Sequence, residues 1–201
     1  ILPLVKRPVI TYGLSLQAEI SAKNIRFNQA ETIFSLYRNN KNMGEVTLNV
    51  PGKHNVLNSL AAAAIGFEMG LNIEGIIKGL KNYEGVRRRF EIKGIKNDIM
   101  VVDDYAHHPT EVSATLQAAK NGWDRRIVAV FQPHLFSRTK DFYKEFAAAF
   151  MDSDILIITD IYPARELPID GVNGKLIYNS AKSIGHKNVH YVPNIEDIKE
   201  Y

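Results

Sequence analysis

The stretch "DIMVVDDYAHHPTEVSATLQAAKNG", Asp98 to Gly122, changes character in its middle. It begins as a nearly continuous apolar run, the pattern of a strand buried on both faces of a parallel sheet. It ends as a helical segment opened by Pro109 and by Thr110 with an acid nearby, which are ordinary helix-start residues. Downstream, "RIVAVFQP", "DILIITD" and "NVHYVP" repeat the apolar run. Between them "RTKDFYKEFAAAFMDS", with Phe142, Phe146, Ala149 and Phe150 on one face, and "GKLIYNSAKSIG" repeat the helical pattern. Strand and helix alternating at this spacing predict a right-handed doubly wound α/β domain. All four apolar runs are expected in its parallel sheet.

Upstream the pattern differs. "VITYG", "AEISAKNIRFN", "TIFSLYRN" and "GEVTLNVPG" are short alternating or β-branched runs, read as a small sheet of hairpins with "NNKNMG", Asn39 to Gly44, as one turn. "HNVLNSLAAAAIGFEMG" then predicts a helix with Leu57, Leu60, Ala61 and Ala64 on one face, ending at Gly70. "NIEGIIKGLKNYEG" predicts a shorter second helix, and "NIEDIKEY" at the end reads as a helix start. The composition shift at Gly85 to Arg89 divides the chain into domains at 1–86 and 87–201.

Bulk properties narrow the function classes. The 201 residues are 45% hydrophobic and 23% charged, ordinary globular values. The net charge of +3 is spread among acids, with Arg87 to Arg89 the one tight cluster, which argues against a nucleic-acid partner and suits at most a small anion. The absence of cysteine removes disulfide and thiolate-zinc frameworks. No apolar run approaches the roughly 18 residues of a membrane span. A cytoplasmic protein without membrane or nucleic-acid partners is expected; its oligomeric state is open.

Ligands of open α/β sheets bind beyond the carboxyl ends of the strands. Three polar clusters are expected there: "DDYAHHP", "QPHLFSRT" and "DIYPARELPIDG". Each has a plainer reading. The first serves as turn and cap, although capping does not call for Tyr105, His107 and His108 together. His134 and Arg138, four apart, read equally as a surface pair, and the third loop as a rigid Pro/Gly connection. Asp103, Asp104, His107, His108 and His134 have the donor types of a metal site. Adjacent histidines rarely both point at one ion, however, and no H-x-x-x-H spacing supports it, so no metal site is assigned within this chain. In the first half, "VPGKHNVLNSLAAAAIG" places His54, Asn55 and Asn58 at the positive end of a helix, where a nucleotide or other anion is favoured; a plain capped helix is the alternative. A metal-dependent phosphoesterase and a stand-alone nucleotide-binding module both remain open on these residues.

Taken in order, "PGKHNVLNSLAAAAIG", "RRRFEIKG", "VVDDYAHHPTEV", "FQPHLFSRTKDF" and "DIYPARELPIDGVNGKLI" closely resemble the Mur ligases of peptidoglycan synthesis, in particular the alanine-adding members. The resemblance runs from about Pro3 to the last residues. It implies a Rossmann-like C-terminal domain with a parallel sheet, preceded by the small sheet and helices that end a central ATPase domain. The phosphate-cradling G-x-x-x-x-G-K-[ST] of that central domain is absent, and "ILPLVKRPVITYG" starts without methionine, so the chain is expected to be part of a longer protein. The implied reaction is ATP-dependent amide formation: the carboxylate of UDP-N-acetylmuramate is phosphorylated to an acyl phosphate, the amine of L-alanine attacks, and phosphate leaves. ATP and Mg2+ are the implied cofactors, with the metal ligands expected upstream.

Carried over by motif, Asn55 contacts adenine with His54 and Asn58 nearby, Arg89 reaches the phosphates, and Asp104 holds the ribose hydroxyls. Tyr105, His107 and His108 line the gap where nucleotide and alanine meet, the two histidines and Arg89 being the implied catalytic groups. Arg138, aided by His134, binds the alanine carboxylate; Asp160, Arg165 and Glu166 are further loop candidates. Some family members carry an arginine after the histidine of "QPH", whereas this chain has Leu135, so the carboxylate site rests on Arg138. The sister ligase that recycles muramoyl tripeptide is the related alternative, but "QPHLFSRT" fits the alanine-adding members better.

Overall fold

A computed structural model describes residues 6–15 and 17–200. Residues 1–5, 16 and 201, among them Pro3 where the family resemblance starts and the last residue of "NIEDIKEY", lie outside the described residues. The chain packs as two compact units: one runs to Val102 and adds Asn121–Trp123, and the other comprises Asp103–Lys120 and everything from Asp124.

The first unit is built on hairpins. Strands β1 (Tyr12–Gly13), β2 (Ile20–Asn28), β3 (Glu31–Arg38) and β4 (Lys41–Leu48) form a sheet in that order, parallel between β1 and β2 and antiparallel thereafter. The turn between β3 and β4 is only Asn39–Asn40, both at positive φ (48° and 63°), the conformation of a two-residue hairpin turn. The expected longer turn through Gly44 is therefore mostly strand. Alternation sends Phe34, Leu36, Val46 and Leu48 to one face, where helices α1 (Lys53–Glu68) and α2 (Ile73–Lys81) cover them with Val56, Leu60, Ala63 and Ile76. Each of these side chains larger than alanine contributes about 1.5–3 kcal/mol on burial. The buried stripe of α1 is Val56, Ser59, Leu60, Ala63, Ala64 and Gly66; Leu60 and Ala64 are buried as expected, whereas Leu57 is exposed and Ala61 only half-buried.

Strands β5 (Glu91–Lys96) and β6 (Ile99–Asp103) make a separate two-stranded sheet. This corrects the expectation that "DIMVVDD" opens the parallel sheet. Asn97 and Asp98 both take positive φ (49° and 61°) and close a two-residue hairpin, which forces β6 antiparallel to β5. Ile99 and Val101 are consequently 67% and 56% exposed instead of buried on two faces. The hairpin packs with the first unit, so the boundary between compact units falls at Val102/Asp103, beyond the expected 86/87 division. Phe90 stacks on Trp123 (centroids 5.2 Å apart, 13° between planes), which draws Asn121–Trp123 into that unit.

The second unit carries the parallel sheet. β7 (Val128–Phe131), β8 (Ile155–Ile158) and β9 (Val189–Tyr191) lie in that order, all parallel. Helices α3 (Pro109–Gly122), α4 (Phe136–Ala149) and α5 (Lys175–Ser183) connect or precede them, with 3-10 turns at Phe150–Asp152 and Ile195–Glu200. Phe131, Phe146, Phe150, Leu156, Ile158 and Ile177 form the core. The α/β class with a parallel sheet is as the sequence implied.

Candidate functional site

The loop that follows β6 is wired residue by residue. Asp104 Oδ1 accepts from the Ala106 N–H (2.8 Å) and Oδ2 from the Thr115 hydroxyl (3.0 Å), which tie the carboxylate to its own turn and to α3. Glu111 Oε2 accepts from the backbone N–H of both His107 (2.9 Å) and His108 (3.2 Å), satisfying donors at the start of α3. His107 is half-buried and His108 exposed. His107 Nδ1 lies 2.9 Å from the Tyr105 carbonyl oxygen and 3.5 Å from Glu111 Oε2. His108 Nδ1 accepts from the Thr110 N–H at 3.3 Å, and its ring meets Phe142 of α4 edge-on at 5.2 Å. Pro109 is buried at the first helical position, as expected.

The next cluster follows β7. His134 and Tyr162 form a lone parallel bridge between the loops after β7 and β8, with Leu135 N–H donating to Tyr162 O (3.0 Å), Tyr162 N–H to Pro133 O (2.8 Å), and the two rings stacked at 5.7 Å. Leu135 sits at φ 75°, ψ 136°, a backbone state that side chains rarely adopt and that costs on the order of 1–3 kcal/mol. It offers no side-chain cap to α4. Glu166 supplies one from the β8 loop, accepting from the Ser137 N–H (3.0 Å) and hydroxyl (2.5 Å). These bonds hold the Glu166 carboxyl below its ordinary range. One turn in, Arg138 Nη1 donates to His134 Nδ1 (3.1 Å) and to its carbonyl (3.4 Å). Burial first, and then the charges of Arg138 and His107, push the His134 imidazole below its ordinary range, so that it stays neutral and can accept from the guanidinium.

The remaining candidates are less concentrated. Asp160 accepts from the Tyr191 hydroxyl, and burial followed by that carboxylate drives the phenol pKa well up. Asp160 is thereby tied to β9. Arg165 is exposed. In the first unit, Asn55 Nδ2 donates to Pro51 O (2.8 Å) and Asn55 Oδ1 accepts from Asn58 Nδ2 (3.3 Å), so the two amides form one polar edge at the start of α1. His54 is half-buried beside them. The preceding Gly52 takes φ 98°, where glycine is favoured, and leaves the first turn without a side-chain cap or an acid. The amide pair borders a cavity of about 380 Å³ whose other walls include Leu48, Val50, Leu71, Ile76 and Tyr83. Arg89 lies exposed in the turn before β5.

Among the described residues no three or more His, Asp or Glu side chains gather as a metal group. Nor, among those residues, is any helix long and apolar enough to cross a membrane. Sequence reasoning read the acid beside Thr110 as a helix-start residue but missed the bonds of Glu111 to His107 and His108, and it missed Thr115 and Ser137. Glu111 stands three residues after His108, the spacing of a capping box, but histidine at the cap position masked it; Thr115 and Ser137 carry no sequence signal.

Two family profiles match the chain, that of the Mur ligase middle domain over residues 3–66 and that of the "Mur ligase, glutamate ligase domain" over residues 88–201. The chain belongs to the Mur ligase family. Among Mur ligase relatives it is 51% identical over 192 residues to the UDP-N-acetylmuramate–L-alanine ligase of Geotalea daltonii, covering 96% of this chain and 42% of that protein. It is 50% identical over 195 residues to the enzyme of the same name from Salinibacter ruber, covering 96% and 41%. The crystal structure of the UDP-N-acetylmuramate–alanine ligase from Thermotoga maritima matches with a TM-score of 0.79 at 32% identity, covering 95% of this chain and 41% of that one. The chain thus spans about two fifths of the length of these Mur ligases.

Proposed function

We propose that this chain supplies part of an ATP-dependent amide ligase that joins L-alanine to UDP-N-acetylmuramate through an acyl phosphate, in peptidoglycan precursor synthesis. In this reading residues 1–86 end the central domain and 87–201 form the C-terminal domain. The observation that carries it is the His134–Arg138 pair at the start of α4, beyond the carboxyl end of β7, on a segment about half identical to ligases that bear this name. A guanidinium held by a neutral imidazole keeps its charge for an anionic partner, and a free amino acid offers a carboxylate of matching fork geometry.

The polar edge of Asn55 and Asn58 over an apolar cavity suits a heteroaromatic base, which needs hydrogen bonds at its rim and apolar contact on its faces. That is the fit expected of the adenine of ATP, with His54 beside it and Arg89 for the phosphates. When bound, ATP supplies the phosphoryl group that activates the muramoyl carboxylate. No residue of this chain is assigned to Mg2+. Tyr105, His107 and His108 are assigned to the reacting groups. ATP and a UDP-sugar as substrates place the work in the cytoplasm; neither nucleic acid nor membrane is a proposed partner.

The test is a chimera in which this chain replaces the matching segment of the Geotalea daltonii ligase. L-alanine-dependent phosphate release from ATP and UDP-N-acetylmuramate is the expected result. A chimera that folds yet turns over a preformed tripeptide in place of L-alanine would move the assignment to the recycling ligase, and one inert with both would remove it. The isolated 201 residues, which contain no G-x-x-x-x-G-K-[ST], are expected to give no turnover.

A further inference from the structure

We propose that His107 and His108 are held in opposite tautomers, one as proton acceptor and one as proton donor, with Glu111 as the positioning residue of the His107 ring. A carbonyl oxygen can only accept, so His107 Nδ1, 2.9 Å from Tyr105 O, carries the hydrogen. A backbone N–H can only donate, so His108 Nδ1, facing the Thr110 N–H at 3.3 Å, carries none. A neutral imidazole has one N–H. His107 therefore presents an unprotonated Nε2, and His108 an Nε2–H.

Opening a helix does not require this arrangement. The start of α3 is served by Glu111 and by the His108 ring, and neither demands that His107 donate from Nδ1 to the Tyr105 carbonyl. Glu111 Oε2 receives both backbone N–H groups and stands 3.5 Å from His107 Nδ1. A carboxylate on the far side of the ring from the accepting nitrogen fixes the tautomer and stabilises the imidazolium formed on proton uptake. The other groups that face these rings are Tyr105, edge-on to His107 at 5.3 Å, and Phe142, edge-on to His108 at 5.2 Å; His134 is close enough to sense the charge of His107.

The chemical role rests on the ligase reading above. An amino acid reaches the site as an ammonium ion and must lose a proton before it attacks. The N–H bond breaks, the proton passes to His107 Nε2, and the freed lone pair forms the C–N bond at the acyl-phosphate carbonyl carbon. The C–O bond to the phosphorus-bound oxygen then breaks, and phosphate leaves with the electron pair and takes up the second proton released from the new amide nitrogen. His108 Nε2–H is the donor for an oxygen that gains charge in this sequence.

Nitrogen-15 NMR of the imidazole rings in the 201-residue chain, at a pH where both are neutral, tests the tautomers without any turnover. His107 is expected with a protonated Nδ1 and a bare Nε2, and His108 with the reverse; the same tautomer in both would overturn the pairing. Glu111→Gln keeps a capping side chain but removes the charge, and is expected to weaken the preference of His107 for a protonated Nδ1 while leaving the His108 tautomer unchanged. Equal change in both rings, or none, would remove Glu111 as the positioning residue. In the chimera, the acid limb of the pH profile of kcat/KM for L-alanine is expected to vanish in His107→Gln; an unchanged limb would overturn the acceptor role. An inert parental chimera would instead overturn the ligase reading, with the tautomers still measured on the chain.

Discussion

Arg138 illustrates how far a single residue can be read. Its four-residue offset from His134 was visible in the sequence, and the structure joins them through a 3.1 Å hydrogen bond. What the sequence could not show is the support beneath the pair: the left-handed Leu135, the Tyr162 bridge and the Glu166 cap all come from backbone geometry or from a loop distant in the chain. In the chimera, Arg138→Ala is expected to raise the KM for L-alanine by roughly 10- to 100-fold, because a hydrogen-bonded charge contributes about 1.5–3 kcal/mol, and to leave the KM for ATP nearly unchanged. Equal effects on both substrates would contradict the carboxylate assignment. His134 also predicts a pH dependence. Its folded pKa is lowered, so as pH falls the unfolded chain takes up the proton first. The associated stability is full above about pH 6.5 and is lost as pH falls through the lower folded value. Glu166, also lowered, adds a second loss of the same sign below about pH 4.3. Melting temperatures of the parent, His134→Gln and Glu166→Gln chains between pH 8 and 4 check both, each variant flattening its own part of the curve.

Elements were legible where one period dominated. The segment "PTEVSATLQAAKNG" predicted α3 to the residue, since proline fixes its start and no competing pattern crosses it. The apolar run before it misled, because Ile99 to Val102 has the composition of a buried strand while the Asn97–Asp98 turn, two residues earlier, decides its partner. Turn chemistry overrode hydrophobicity there. The face of α1 was read half correctly for a related reason: Leu60 and Ala64 are buried as expected, but an alanine-rich helix gives little contrast between one stripe and the next, and packing chose Val56, Ser59 and Ala63 over Leu57 and Ala61. At the start of α5 the constraint is steric and silent in the sequence. A Cβ on Gly174 would lie 2.2 Å from the Thr159 carbonyl oxygen at the end of β8. Gly174→Ala is expected to destabilise the second unit by about 1–3 kcal/mol or more through the forced shift of backbone, measured as a lower urea midpoint, whereas alanine at Gly79, where a Cβ meets open space, is expected to be tolerated.

At the scale of the molecule, composition and alternation were enough for the α/β class and for a chain in two parts; the compact units divide at Val102/Asp103, while the C-terminal family profile begins at residue 88. The two cores share no residue: one is organised around Phe34, Leu36 and Leu60, the other around Phe146, Leu156 and Ile177. Phe34→Ala is expected to cost about 3–5 kcal/mol in the first unit. The stack of Trp123 on Phe90 determines how such a loss is seen. Trp123 is the sole tryptophan of the chain and packs with the first unit although it follows α3 in sequence. Its emission is therefore an optical label on that unit alone. During synthesis the label cannot find its partner until more than thirty residues beyond Phe90 have left the ribosome, so the fluorescence of stalled nascent chains would date the completion of the first unit.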